Sequence, residues 1–135
     1  MKKKKSLFLS ILLVGAFLLP TTTVLGSIKS FSGYLLPRWQ GQNYTSTYQH
    51  NDPVAGINAC VNKFTGTTKC YLWPADSGED PLGSTTTTFT ANGEYKWLYF
   101  SDGEDHQGEY VSLGMMNYYD STSGAYVDGK VDFFQ

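Results

Sequence analysis

The chain is poor in cysteine, in histidine and, past its first 26 residues, in positive charge. It has two cysteines, two histidines, and ten Lys+Arg against twelve Asp+Glu in 135 residues. Four of the ten cations, Lys2, Lys3, Lys4 and Lys5, stand together near the start, so the rest carries six cations against twelve anions, a net charge of −6. Clustered Lys/Arg is what attaches proteins to nucleic acid and to anionic headgroups, so neither is an expected partner, and a cationic lytic peptide is disfavoured on the same ground. Leu and Ala are sparse after residue 26, and no apolar stripe of helical period extends over about ten residues. No apolar run past residue 26 approaches the ~20 residues that span a bilayer.

What is present begins with residues 1–26. The four lysines, the apolar stretch LFLSILLVGAFLL and the small-residue site at Val24, Leu25 and Gly26 read as a cleaved secretory signal peptide. The apolar stretch is short for a retained membrane anchor, and Pro20 and three threonines follow it directly. The expected product is extracellular, one domain over residues 27–135, not membrane-spanning after cleavage, and acidic. Nothing in the sequence fixes its oligomeric state.

That domain is rich in Tyr, Thr, Ser, Gly and Asn, a strand-and-turn composition. Short β-type runs recur at 28–36, 44–49, 56–62, 67–73, 85–90, 95–100, 109–115 and 125–134. They predict an all-β fold, a single antiparallel β-sandwich of about eight strands. Asn92-Gly93 reads as a tight hairpin turn, with weaker copies at Asp102-Gly103 and Asp128-Gly129. Pro37, Pro53, Pro74 and Pro81 fall between the runs, where a missing N–H costs no ladder bond.

In a secreted chain two cysteines imply a disulfide. Cys60 and Cys70 lie symmetrically about Thr65, with Gly66 placed for a left-handed turn, and predict a cross-strand Cys60–Cys70 bridge in a hairpin. A redox or metal role is disfavoured, because no histidine lies near the pair.

Catalytic signals are thin. His50 and His106 are the only histidines, and no serine sits in a nucleophile-elbow sequence. Acidic residues at Asp76, Glu79, Asp80, Asp102, Glu104, Asp105 and Glu109 single out no glycosidase pair. The expectation is a protein that is not an enzyme and has no resident cofactor. One cation site is conceivable in residues 101–109 (SDGEDHQGE), where Asp102, Glu104, Asp105 and Glu109 offer the oxygen ligands Ca²⁺ prefers, although their spacing is not that of an EF-hand. The plain alternative is a charged loop tip that discourages edge pairing.

Aromatic residues are abundant, with three Trp and ten Tyr. Strand alternation sends Tyr95, Trp97 and Tyr99 to one face and Lys96, Leu98 and Phe100 to the other. The simplest account is a central strand buried on both faces, and the functional one is a flat platform that stacks on sugar rings. Trp39, set among the amides of Gln40, Gln42 and Asn43, is the leading candidate for such contact.

Two resemblances follow. The leader, the run 44–49, Val111-Ser112-Leu113, Asn117 and Val127-Asp128-Gly129 resemble short secreted β proteins of Gram-positive bacteria that form a domain family of unknown function. Tyr48, His50, Ala59, Val61 and the turn at Thr65-Gly66 resemble the β-sandwich lactococcin family of bacteriocins, a likeness that ends at Trp73. The second implies action on cell-wall assembly, which an acidic protein can perform. Together these readings point to a secreted non-enzymatic binding protein, a bacteriocin-like effector whose partner is a cell-envelope component or glycan. A carbohydrate-binding module is the alternative, and a small secreted hydrolase a distant third.

Overall fold

The computed structural model describes residues 28–84 and 87–135, so the leader expected at residues 1–26 lies outside the described residues, as do Thr85 and Thr86. The described chain forms nine strands: β1 (Ile28–Leu36), β2 (Asn43–Tyr44), β3 (Tyr48–Gln49), β4 (Gly56–Thr65), β5 (Cys70–Asp76), β6 (Thr88–Phe89), β7 (Lys96–Tyr99), β8 (Tyr110–Asn117) and β9 (Ala125–Asp132). One turn of 3-10 helix, Arg38–Gln40, is the only helical element among the described residues. All pairings are antiparallel. The first sheet has the order β1-β9-β4-β7, and the second has the order β2-β8-β5-β6 with β3 also paired to β8. Phe31, Ile57 and Val61 of the first sheet pack with Leu72, Leu113 and Met115 of the second in one buried core, so the all-β sandwich expectation holds in outline.

The count rises from eight to nine because the run 44–49 is two strands. Tyr44 pairs with Gly114 and Tyr48 with Val111, so four steps on one side match three on the other. Thr45 absorbs the extra residue: its Oγ1 accepts the Leu113 N–H at 3.0 Å, and its own N–H goes to the Leu113 carbonyl at 3.0 Å. Pro74, expected between strands, lies inside β5 opposite Leu113. Its carbonyl accepts the Leu82 N–H at 2.8 Å, and since a strand residue's N and O point to the same side, its missing N–H faces that loop and not β8.

Consecutive strands mostly stack across the sandwich instead of pairing. Asn43 Nδ2 donates to the Leu35 carbonyl at 2.9 Å, which ties β2 to β1 at one open side. At the other, Lys96 of β7 donates to the Thr88 carbonyl of β6 at 2.6 Å, with its amine 5.2 Å from the centre of the Phe89 ring. The Asn92-Gly93 turn therefore forms with Gly93 at φ +71°, but it carries the chain from one sheet to the other.

The same crossing removes the expected disulfide. Gly66 does take a left-handed φ of +82°, yet β4 goes on to pair with β9, and β5 joins the second sheet. Cys60 alternates with the core residues Ala59 and Val61 and so faces away from the core, whereas Cys70 is a member of that core. The two thiols are free and buried. Burial pushes the Cys70 thiol up to about 12, the behaviour of an inert packing residue.

Two bulges meet at Asp128-Gly129 in β9. In β1, Ser32 and Gly33 together face Asp128, with Gly33 at φ +64° and its N–H on Asp128 Oδ1 at 2.6 Å. In β4 the register slips between Val61 and Lys63. Each bulge reverses the in-out alternation, which is why Phe31 and Leu36, of opposite parity, both reach the core, as do Val61 and the partly buried Phe64. Gly129 is obligatory: a Cβ there would overlap the Cys60 carbonyl oxygen and the Phe31 ring.

Gly129→Ala is expected to cost about 2–3 kcal/mol of unfolding free energy by overpacking, read in urea melts; a loss within error of zero contradicts the packing described. In denaturant without reductant both cysteines are expected to alkylate, and in the native protein neither; intact mass spectrometry distinguishes this from a bridged pair.

Candidate binding face

The edge strand β7 and the residue before it place the exposed Tyr95 and Tyr99 in a row with the half-buried Trp97. Leu98 pairs with Ile57, and both lie in the core, so Trp97, opposite Asn58, points outward with Tyr95 and Tyr99 two residues to either side. The sharing of one face by Tyr95, Trp97 and Tyr99 agrees with the alternation. The expected central strand does not: β7 ends the first sheet, and Tyr99 is 68% exposed. Only the Leu98 and Phe100 side is buried.

The row is held from below. Gly56 lets the indole lie close, because a Cβ there would stand 2.8 Å from Trp97 Nε1. The Phe134 ring flanks Trp97 at 5.1 Å, and Tyr99 meets it edge-on at 6.0 Å. Beside the aromatic row runs a polar one: Asn58 separates Trp97 of β7 from Asp132 of β9. Burial, then Cys60, to which it hydrogen-bonds, and then the Asp132 charge push the Tyr95 phenol above its usual range. Phe134, Asn58 and Asp132 were not foreseen, and only the strand register brings them here.

Trp39 is at the opposite corner of the molecule. It follows the Leu36 end of β1, whereas Trp97 lies level with the Ile28 end across β4 and β9. It is 61% exposed and held at φ +61°, its N–H on the Ser121 carbonyl at 2.8 Å. The contact candidates therefore divide between two places. The third tryptophan, Trp73, is fully buried on the outer side of the second sheet, flat against Gly114 and edge-on to Tyr44 at 6.0 Å.

The acidic loop between β7 and β8 closes on His106. Nε2 of His106 contacts Asp102 Oδ2 and Nδ1 contacts Glu109 Oε2, each at 2.6 Å, and the ring stands edge-on to Phe100 at 4.9 Å. Burial opposes the imidazolium charge, but the bonds to Glu109 and Asp102 outweigh it and raise the His106 pKa. The Glu104 N–H, and then His106, hold the Asp102 carboxyl below its usual range. Asp105 Oδ1 instead accepts the Gln107 N–H at 3.1 Å. The Asp102 and Glu109 carboxylates thus sit at opposite ring nitrogens rather than converging with Glu104 and Asp105, and among the described residues no three His, Cys, Asp or Glu side chains are grouped to hold a metal ion.

His50 is fully buried, with Nδ1 2.7 Å from the Phe133 carbonyl and Nε2 2.8 Å from that of Val54. Neither histidine has a ring nitrogen left for a serine hydroxyl, which a Ser-His-Asp arrangement requires. Asp76 Oδ1 accepts the N–H groups of Gly78 and Asp80 at 2.8 and 2.9 Å and serves the turn. No pocket opens among the described residues.

Comparison with family models, with curated proteins and with solved structures finds no match to this chain.

The two tryptophans at the extremes of exposure set a test. Trp73→Ala is expected to cost about 3–5 kcal/mol of stability and Trp39→Ala under about 1 kcal/mol, by denaturant unfolding; equal costs contradict the placement.

Proposed function

We propose that the protein is a secreted, non-enzymatic binding protein that recognises a glycan of the bacterial cell envelope through the outer face of β7. The observation that carries this reading is the exposure of Tyr95 and Tyr99 on either side of Trp97, on an edge strand whose other side is core. A pyranose ring offers a face of weakly positive C–H groups, which complements the negative face of an aromatic ring. Asn58, in the adjacent row, supplies an amide able both to donate to and to accept from sugar hydroxyls. The aromatics follow one another along a single strand direction, a linear row that suits an extended polymer. The engaged histidines favour binding over turnover, and the leader-like residues 1–26 supply the extracellular address.

The test is retention of the purified domain on insoluble cell-wall polysaccharide. Trp97→Ala or Tyr99→Ala is expected to weaken binding by about 2 kcal/mol, roughly thirtyfold, while Trp39→Ala leaves it unchanged. Unaltered retention of the Trp97→Ala/Tyr99→Ala double variant, or no retention of the wild type, overturns the proposal.

A further inference from the structure

The two histidines belong to one assembly that ends at the binding face. Phe100 stands between them, edge-on to His106 at 4.9 Å and to His50 at 5.2 Å. His50 in turn meets the Phe134 ring at 6.3 Å, and Phe134 flanks Trp97. Backbone bonds run the same way. The Gly108 N–H goes to the His50 carbonyl at 2.6 Å and the His50 N–H to the Glu109 carbonyl at 2.8 Å. Gln107 Nε2 donates to the Asn51 carbonyl at 2.8 Å, and the Asn51 and Asp52 N–H groups both reach the Phe134 carbonyl, at 2.8 and 3.1 Å. The acidic loop thus grips the 50–52 segment, and that segment grips Phe134.

We infer that residues 101–109 form a proton-dependent clasp, closed by the His106 imidazolium between Asp102 and Glu109, which sets Phe134 and through it Trp97 in the ligand-binding position. The inference rests on the glycan-binding reading only for its effect on affinity. Donor counting gives the mechanism: two carboxylates accept, and only the imidazolium has an N–H for each. Loss of the proton leaves one carboxylate facing a ring lone pair at 2.6 Å, and that arm opens. The groups facing His106 are Asp102 and Glu109 on its own loop and, beyond Phe100, His50, whose two ring nitrogens both meet carbonyls. Asp105 is bonded to the Gln107 N–H, and Glu104 is exposed.

The sign follows from the directions of shift. His106 is raised, so the clasp is complete below its ordinary 6.5 and is lost as pH rises through the raised value. Asp102 is lowered, so on the acid side the clasp is lost as pH falls through that depressed value.

An NMR titration from about pH 5 to pH 9 of the ligand-free protein follows the His106 ring and the Trp97 indole N–H together. The expected result is one shared midpoint above the ordinary histidine value, moved to lower pH in Asp102→Asn and abolished for Trp97 in His106→Gln. Glycan retention is expected to fall by about tenfold or more across the same midpoint, a change of ~1.4 kcal/mol. A Trp97 resonance that stays flat while His106 titrates overturns the clasp, whatever the glycan does. Shared titration with no retention at any pH upholds the clasp and removes the glycan reading instead.

Discussion

The close approach of Phe31 to Gly129 is the constraint on which the first sheet depends. β9 is hydrogen-bonded on both sides, to β1 and to β4, and at Gly129 it passes beneath an aromatic ring with no room for a side chain. Both neighbours bulge there, and the bulges decide which residues of β1 and β4 face the core on each side of that point. Asp128 fixes one of them by accepting the Gly33 N–H. Past the bulges, toward Asp132, the rows come into line, so that Asp132, Asn58 and Trp97 lie side by side across three strands. The proposed binding face is thus a product of the core packing three residue pairs away.

Much of this was legible from local signals. The run 28–36 became β1, and its end at Leu36 is the expected one, because Pro37 lacks the N–H to continue the ladder. Gly66 and Gly93 take the positive φ their turns imply. What local signals did not carry was the destination of the next strand. A turn with the right glycine serves a hairpin within a sheet or an arch between sheets, and most connections here are arches. The Cys60–Cys70 bridge was lost for this reason: symmetry about Thr65 describes a bend, whereas partners β9 and β8 come from the far end of the chain.

The candidate site divides in the same way. That Tyr95, Trp97 and Tyr99 share a face is a matter of period two and needed no structure. Their exposure did, because an aromatic edge strand and a buried central strand have the same composition. Phe134 and Asp132 stand more than thirty residues along the chain from Trp97, and no short-range pattern joins them. The histidines were visible as residues but not as a pair, since Phe100 links them only after β7 has turned into the acidic loop. Their ring nitrogens are spent on carbonyls and carboxylates, so groups that look reactive in the sequence do structural work.

The strand order has a bearing on how the molecule comes into being. β1, the first of the described strands, pairs with β9, the last of them, and with no other strand among those described. All seven other described strands lie between β1 and β9 in sequence, so no neighbour along the chain fills the edge of β1. Joining β1 to the rest of its sheet therefore closes a loop nearly as long as the described chain, which carries a large entropic cost before any contact repays it and places that step late in folding.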